Sequence, residues 1–79
     1  MQQKEKGSGL VSYAALRGKI REVFGSEKAF ASVMDMDIST LSLKLNGKSE
    51  FTGKEMMKAC KLLGIPISEI HKYFFTIKV

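Results

Sequence analysis

The stretch that decides the fold is Ser26 to Lys48, SEKAFASVMDMDISTLSLKLNGK. Ser26 is a helix N-cap residue, and Glu27 and Lys28 occupy the first turn of the helix it opens. That helix runs to about Met34, with Phe30, Val33 and Met34 on one face. Asp35-Met36-Asp37 then sets one apolar residue between two carboxylates, which reads as a tight turn with Met36 as its inward anchor. Asp37 is the expected N-cap of a second short helix, Ile38 to Leu45, in which Leu41 and Leu45 lie four residues apart and Asn46-Gly47 closes the end. This second helix is rich in Ser, Thr and Ile, poor helix formers that cost a few tenths of a kcal/mol each relative to Ala. Its surface has therefore been set by something other than helix stability.

Outward from this pair the pattern stays helical. Ser12 is expected to cap a first helix carrying Leu16, Ile20, Val23 and Phe24, with Gly25 as its left-handed stop. Lys48 to Phe51 reads as a loop. Thr52 caps a fourth helix with Met56, Ala59, Cys60 and Leu63 at core spacing and Gly64 as its end, and Pro66 blocks continuation. Ser68-Glu69 opens a last short helix with Ile70, Tyr73 and Phe74. The expectation is an all-α fold, a compact bundle of about five short helices. Residues 1–11 form a tail and 12–79 the domain. Met1 to Gly9 has three readings: a solvated terminus, a cloning remnant, or a basic arm along phosphates. The aromatic and β-branched segment from Phe74 to Val79 is suited to an extended conformation, either paired with its copy in a homodimer or folded back over its own core.

Composition narrows function. The chain has 79 residues, 44% of them hydrophobic and 27% charged, ordinary values for one small globular domain. Thirteen Lys and Arg against eight Asp and Glu give a net charge of +5, which favours a polyanionic partner. The single cysteine, Cys60, rules out an internal disulfide and reads as a small buried core residue. His71 stands alone, so no metal site is expected. No apolar run reaches the ~20 residues of a membrane span, and the expected location is the cytoplasm. No nucleophile–base pair, carboxylate dyad or phosphate-cradling loop is present, so neither an enzyme, a cofactor nor a small-molecule substrate is expected.

Three segments, Ser26 to Ala31, Met36 to Ser42 and Leu45 to Lys48, resemble the phage repressor and Cro type helix-turn-helix family, lambda-repressor-like in fold. The likeness covers residues 14 to 75. It implies that Ala31 lets the two helices cross closely, that Met36 anchors the turn, and that Leu41 seats the second helix on the core. It also implies that Ile38, Ser39, Thr40 and Leu43 face base edges in the major groove of double-stranded DNA. Ser42, Lys44, Asn46 and Lys48 would lie near phosphates, joined by Glu27 and Lys28 at the start of the preceding helix. Ser and Thr hydroxyls can serve several bases, and Ile38 or Leu43 a thymine methyl. The chain departs from the family pattern at Glu27, where Gln is common, and at Asp35, where Gly usually makes the turn. The function so implied is that of a small phage-type transcriptional regulator, a repressor binding operator DNA as a homodimer. A protein-interaction module on the same scaffold, antitoxin-like or accessory, is the competing expectation, and Ile38 with Leu43 speaks for it.

Overall fold

Helix α1, Ala14–Phe24, puts Leu16 and Ile20 four residues apart, and both are fully buried. Phe24 continues this stripe and stacks obliquely on Phe30, with ring centroids 5.5 Å apart. Val23, expected in the core, is exposed, because Phe24 takes the next inward place on the helix. Gly25 ends α1 at φ 85°, in the left-handed region. The computed structural model describes residues 11–77. The readings of the segment 1–9 therefore lie outside the described residues, as do positions 78 and 79 of the terminal segment.

Ser12 is not the cap of α1. The helix begins two residues later, with Tyr13 at the cap position and no side-chain cap bond, while Ser12 Oγ accepts the Ala14 N–H at 3.3 Å. The cause lies at the other end of the chain. The Ser12 N–H donates to the Thr76 carbonyl at 2.8 Å, and Val11 forms an isolated antiparallel bridge with Ile77. Residues 11 and 12 are thus drawn out as extended chain. The described part of the terminal segment pairs in this way with residues 11 and 12, while Phe75 and Ile77 stay exposed.

Helices α2 (Glu27–Val33) and α3 (Ile38–Leu45) follow, then α4 (Gly53–Leu63), a 3-10 turn at Ile67–Glu69, and α5 (Ile70–Phe74). Thr52 and Glu55 form a reciprocal capping box at the start of α4, and Gly64 ends it at φ 70°. The described chain is all-helical, without a named strand, a small bundle in which α1 packs on α2, α4 and α5. Val33, placed on the inner face of α2 by its spacing, is exposed; Met34 beyond the last helical residue is buried instead. Phe51, in a loop as its sequence predicts, is nonetheless buried and meets Tyr13 and Phe74 edge-on, with centroids 5.5 and 5.2 Å away. No helix among the described residues is long and apolar enough to cross a membrane.

Candidate recognition surface

The α2–turn–α3 unit is held by local hydrogen bonds that account for most of its short backbone. Ser26 Oγ accepts the Ala29 N–H at 3.1 Å and caps α2. The Met34, Asp35 and Met36 N–H groups donate to the carbonyls of Phe30, Ser32 and Ala31, so the turn orphans none of them. Asp35 has φ 59°, the one described non-glycine residue with positive φ. A short polar residue tolerates the left-handed conformation, which explains how the turn forms without glycine. Met36 packs against the core, and Ala31 is buried. Asp37 occupies the cap position of α3, but its carboxylate makes no cap bond.

At 100° per residue, α3 has two distinct faces. Leu41, Lys44 and Leu45, at i, i+3 and i+4, are buried. Ile38, Ser39, Thr40 and Leu43 are exposed, Ile38 by 43% and Leu43 by 48%. Ser39 and Leu43 stand at the centre of the outward face. All four residues expected to read bases are thus exposed, with Ile38 and Thr40 on opposite flanks of that face.

Of the six expected at phosphates, Lys28, Asn46 and Lys48 are exposed, Glu27 and Ser42 are half-buried, and Lys44 is buried. Lys44 lies on the inward face and its side chain is only 9% exposed. Its ammonium donates to the Glu50 carbonyl at 2.8 Å, pairs with Glu55 Oε1 at 3.1 Å and sits 5.9 Å from the centre of the Phe51 ring. An ammonium committed in this way does not reach a phosphate. Partial burial alone would raise the Glu55 pKa. The hydrogen bond from the Thr52 backbone and the charge and hydrogen bond of Lys44 outweigh it and hold the carboxyl below its ordinary value.

Glu27 is also turned inward. Arg17 donates to its Oε2 at 2.7 Å, and the other arm of the same guanidinium donates to Asn46 Oδ1 at 2.8 Å. Asn46 Nδ2 in turn reaches Ser42 Oγ at 3.3 Å. One side chain of α1 thus ties the start of α2 to the end of α3, and Glu27 and Asn46 serve this tie. Lys28 and Lys48 have no ion-pair partner among the described residues. Nothing in the sequence around Arg17 marks its role, because its partners lie 10 and 29 residues away. The one local sign is an acid at Glu27 where an amide is common.

No group of three or more His, Cys, Asp or Glu side chains that could hold a metal occurs among the described residues. Burial pushes the Cys60 thiol above its ordinary pKa, away from the reactive thiolate.

Taken together, these elements define a small helical bundle that presents one short helix, anchored from behind and open in front. Residues 10–77 match the family described as "Protein of unknown function (DUF739)", and the chain belongs to that family. It is similar to the modulator of repression (MOR) of the temperate bacteriophage TP901-1 from Lactococcus lactis, a solution structure. Identity is 41%, the TM-score 0.73, and the match covers 81% of this chain and 86% of the other. No curated protein sequence matches.

Proposed function

We propose that this chain is a phage-type regulator that modulates repression by recognising a protein, with the outward face of α3 as its docking surface and a repressor as its partner. The observation that carries this reading is the division of α3. Its one lysine is spent inside the fold, while two large apolar side chains, Ile38 and Leu43, stand in solvent beside Ser39 and Thr40. A helix meant to sit among phosphates keeps its cations outward; exposed apolar residues flanked by hydroxyls suit a protein interface. The likeness to a modulator of repression supports the same role. The role is one of binding, without catalysis or a cofactor.

A second reading, direct binding of operator DNA by a homodimer, is favoured by one arrangement. Ser39 and Thr40 are exposed at the leading end of α3, and Lys28 and Lys48 flank it on either side in sequence. This is the layout in which a helix enters the major groove.

The test compares two partners for the purified chain: the repressor protein of the same phage and a random pool of DNA duplexes. The expected result is a complex with the repressor that Ile38→Ser with Leu43→Ser weakens by roughly tenfold or more, and no enriched duplex. A two-fold-related DNA motif, enriched by the wild type and blurred by Ser39→Ala with Thr40→Ala, would overturn it in favour of operator binding.

A further inference from the structure

A second surface is built from α4 and the segment that follows it. Met57, Lys58, Cys60, Lys61, Ile65 and Ile67 line an open groove of about 530 Å³. It shares no residue with α3. Its floor is apolar: Cys60 and Ile65 are buried, whereas Met57 and Ile67 are 54% and 53% exposed. Met57 and Ile67 border the same groove beside buried apolar residues, so they form a paired apolar edge rather than singly scattered side chains.

Charge identifies what covers them. Lys54, Lys58 and Lys61 recur at i, i+4 and i+7 along α4 and are all exposed, so they form one stripe. Met57 lies at the edge of that stripe. No carboxylate lines the groove. Among the described residues, Lys58 has one acidic neighbour, Asp35, at 3.5 Å and itself mostly in solvent. The fixed elements below the groove keep its shape, since the Ile65 N–H donates to the Cys60 carbonyl at 2.8 Å and Gly64 turns the chain there.

We infer that this groove binds a short amphipathic helix of a partner protein, with apolar side chains seated on Met57, Ile65 and Ile67 and carboxylates meeting Lys58 and Lys61. Nucleic acid fits less well, because a phosphate backbone brings charge to the lysine stripe but nothing to the apolar floor. The inference does not depend on α3 being a docking surface, as the two faces are separate.

The test uses two synthetic twelve-residue peptides, one with Leu at i, i+3, i+4 and i+7 and Glu elsewhere, the other with Lys replacing every Glu. Each is titrated into the isotope-labelled full chain and followed by amide chemical shifts. The acidic peptide is expected to move Met57, Lys61, Ile65 and Ile67 while leaving Ser39 and Thr40 in place, and the basic peptide to move none of them. Lys58→Glu with Lys61→Glu should weaken the acidic peptide by about tenfold, and Met57→Ala by a few-fold. All three positions are exposed, so the variants' unshifted remaining amides show an intact fold. Equal binding of both peptides, shifts centred on α3, or no shift at millimolar peptide would overturn the inference. So would a random-sequence DNA duplex that moves these same amides and displaces the peptide.

Discussion

Replacing Glu55 by Gln tests whether the inward lysine of α3 depends on its carboxylate. The substitution keeps the side chain's shape and its ability to accept the Thr52 N–H, a bond of 2.9 Å that completes the capping box. What it removes is the charge 3.1 Å from Lys44. Breaking a fully buried ion pair costs about 3–5 kcal/mol. Glu55 retains 27% exposure, and the Glu50 carbonyl still accepts from Lys44, so about 2 kcal/mol is expected here. For a domain of this size that lowers the melting temperature by roughly 10 °C. Lys44→Met also breaks the pair, but it leaves no charge in the interior: an apolar chain of similar length fills the place over Phe51, while Glu55, 27% exposed and still accepting from the Thr52 N–H, can turn to water, so a smaller loss of about 1 kcal/mol is expected. Thermal melts followed by circular dichroism, with urea titrations at one temperature, give both numbers. A Glu55→Gln variant that melts within about 2 °C of wild type, or a Lys44→Met variant less stable than Glu55→Gln, would show that Lys44 does not depend on the carboxylate. The pH dependence follows from the same pair. Because folding lowers the Glu55 pKa from 4.5, its contribution is complete above that pH and is lost as pH falls through the lowered value. The Glu55→Gln variant should accordingly show a shallower loss of stability in acid.

Arg17→Ala removes both arms of the tie between Glu27 and Asn46, and about 1 kcal/mol of stability is expected to go with it, since the pair is partly exposed; urea unfolding measures the loss, and amide exchange should rise at the start of α2. At Asp35, φ 59° makes Asp35→Gly nearly neutral, within about 0.5 kcal/mol, whereas Asp35→Val should cost more than about 1 kcal/mol through its branched Cβ. Gly25→Ala meets no neighbouring atom, so its cost, about 1 kcal/mol in the same denaturation assay, comes from the left-handed backbone alone.

Much of the helical scaffold is legible in the sequence because its signals are local. Ser26 and Thr52 cap their helices, Gly25 and Gly64 end theirs, and Asp35 makes the turn, each through atoms within a few residues. Three of the departures share one origin. Ser12 is pulled from its cap by Thr76, Phe51 is buried from a loop by Tyr13 and Phe74, and Glu27 is taken by Arg17. Each is a contact between residues distant in the chain, which no periodicity encodes. Lys44 is the instructive case at the site. Its position three residues after Leu41 and one before Leu45 places it on the inward stripe by helical geometry, whereas the family resemblance sets a phosphate beside it. The inward face is readable; the presence there of a buried acceptor at Glu50 and a carboxylate at Glu55 is not.

The two faces of α3 divide labour between residues that alternate along one short helix. Leu41, Lys44 and Leu45 anchor it, and Ile38, Ser39, Thr40 and Leu43, all exposed, contribute less to the packing. Mutations at the outward four should therefore drift freely under weak selection, since few of them unfold the domain. A lineage built this way can exchange one binding partner for another by single substitutions, each intermediate remaining a folded protein. Arg17, Glu27 and Asn46 would meanwhile hold the helix at a constant angle, so that a new partner meets a new surface in an old position.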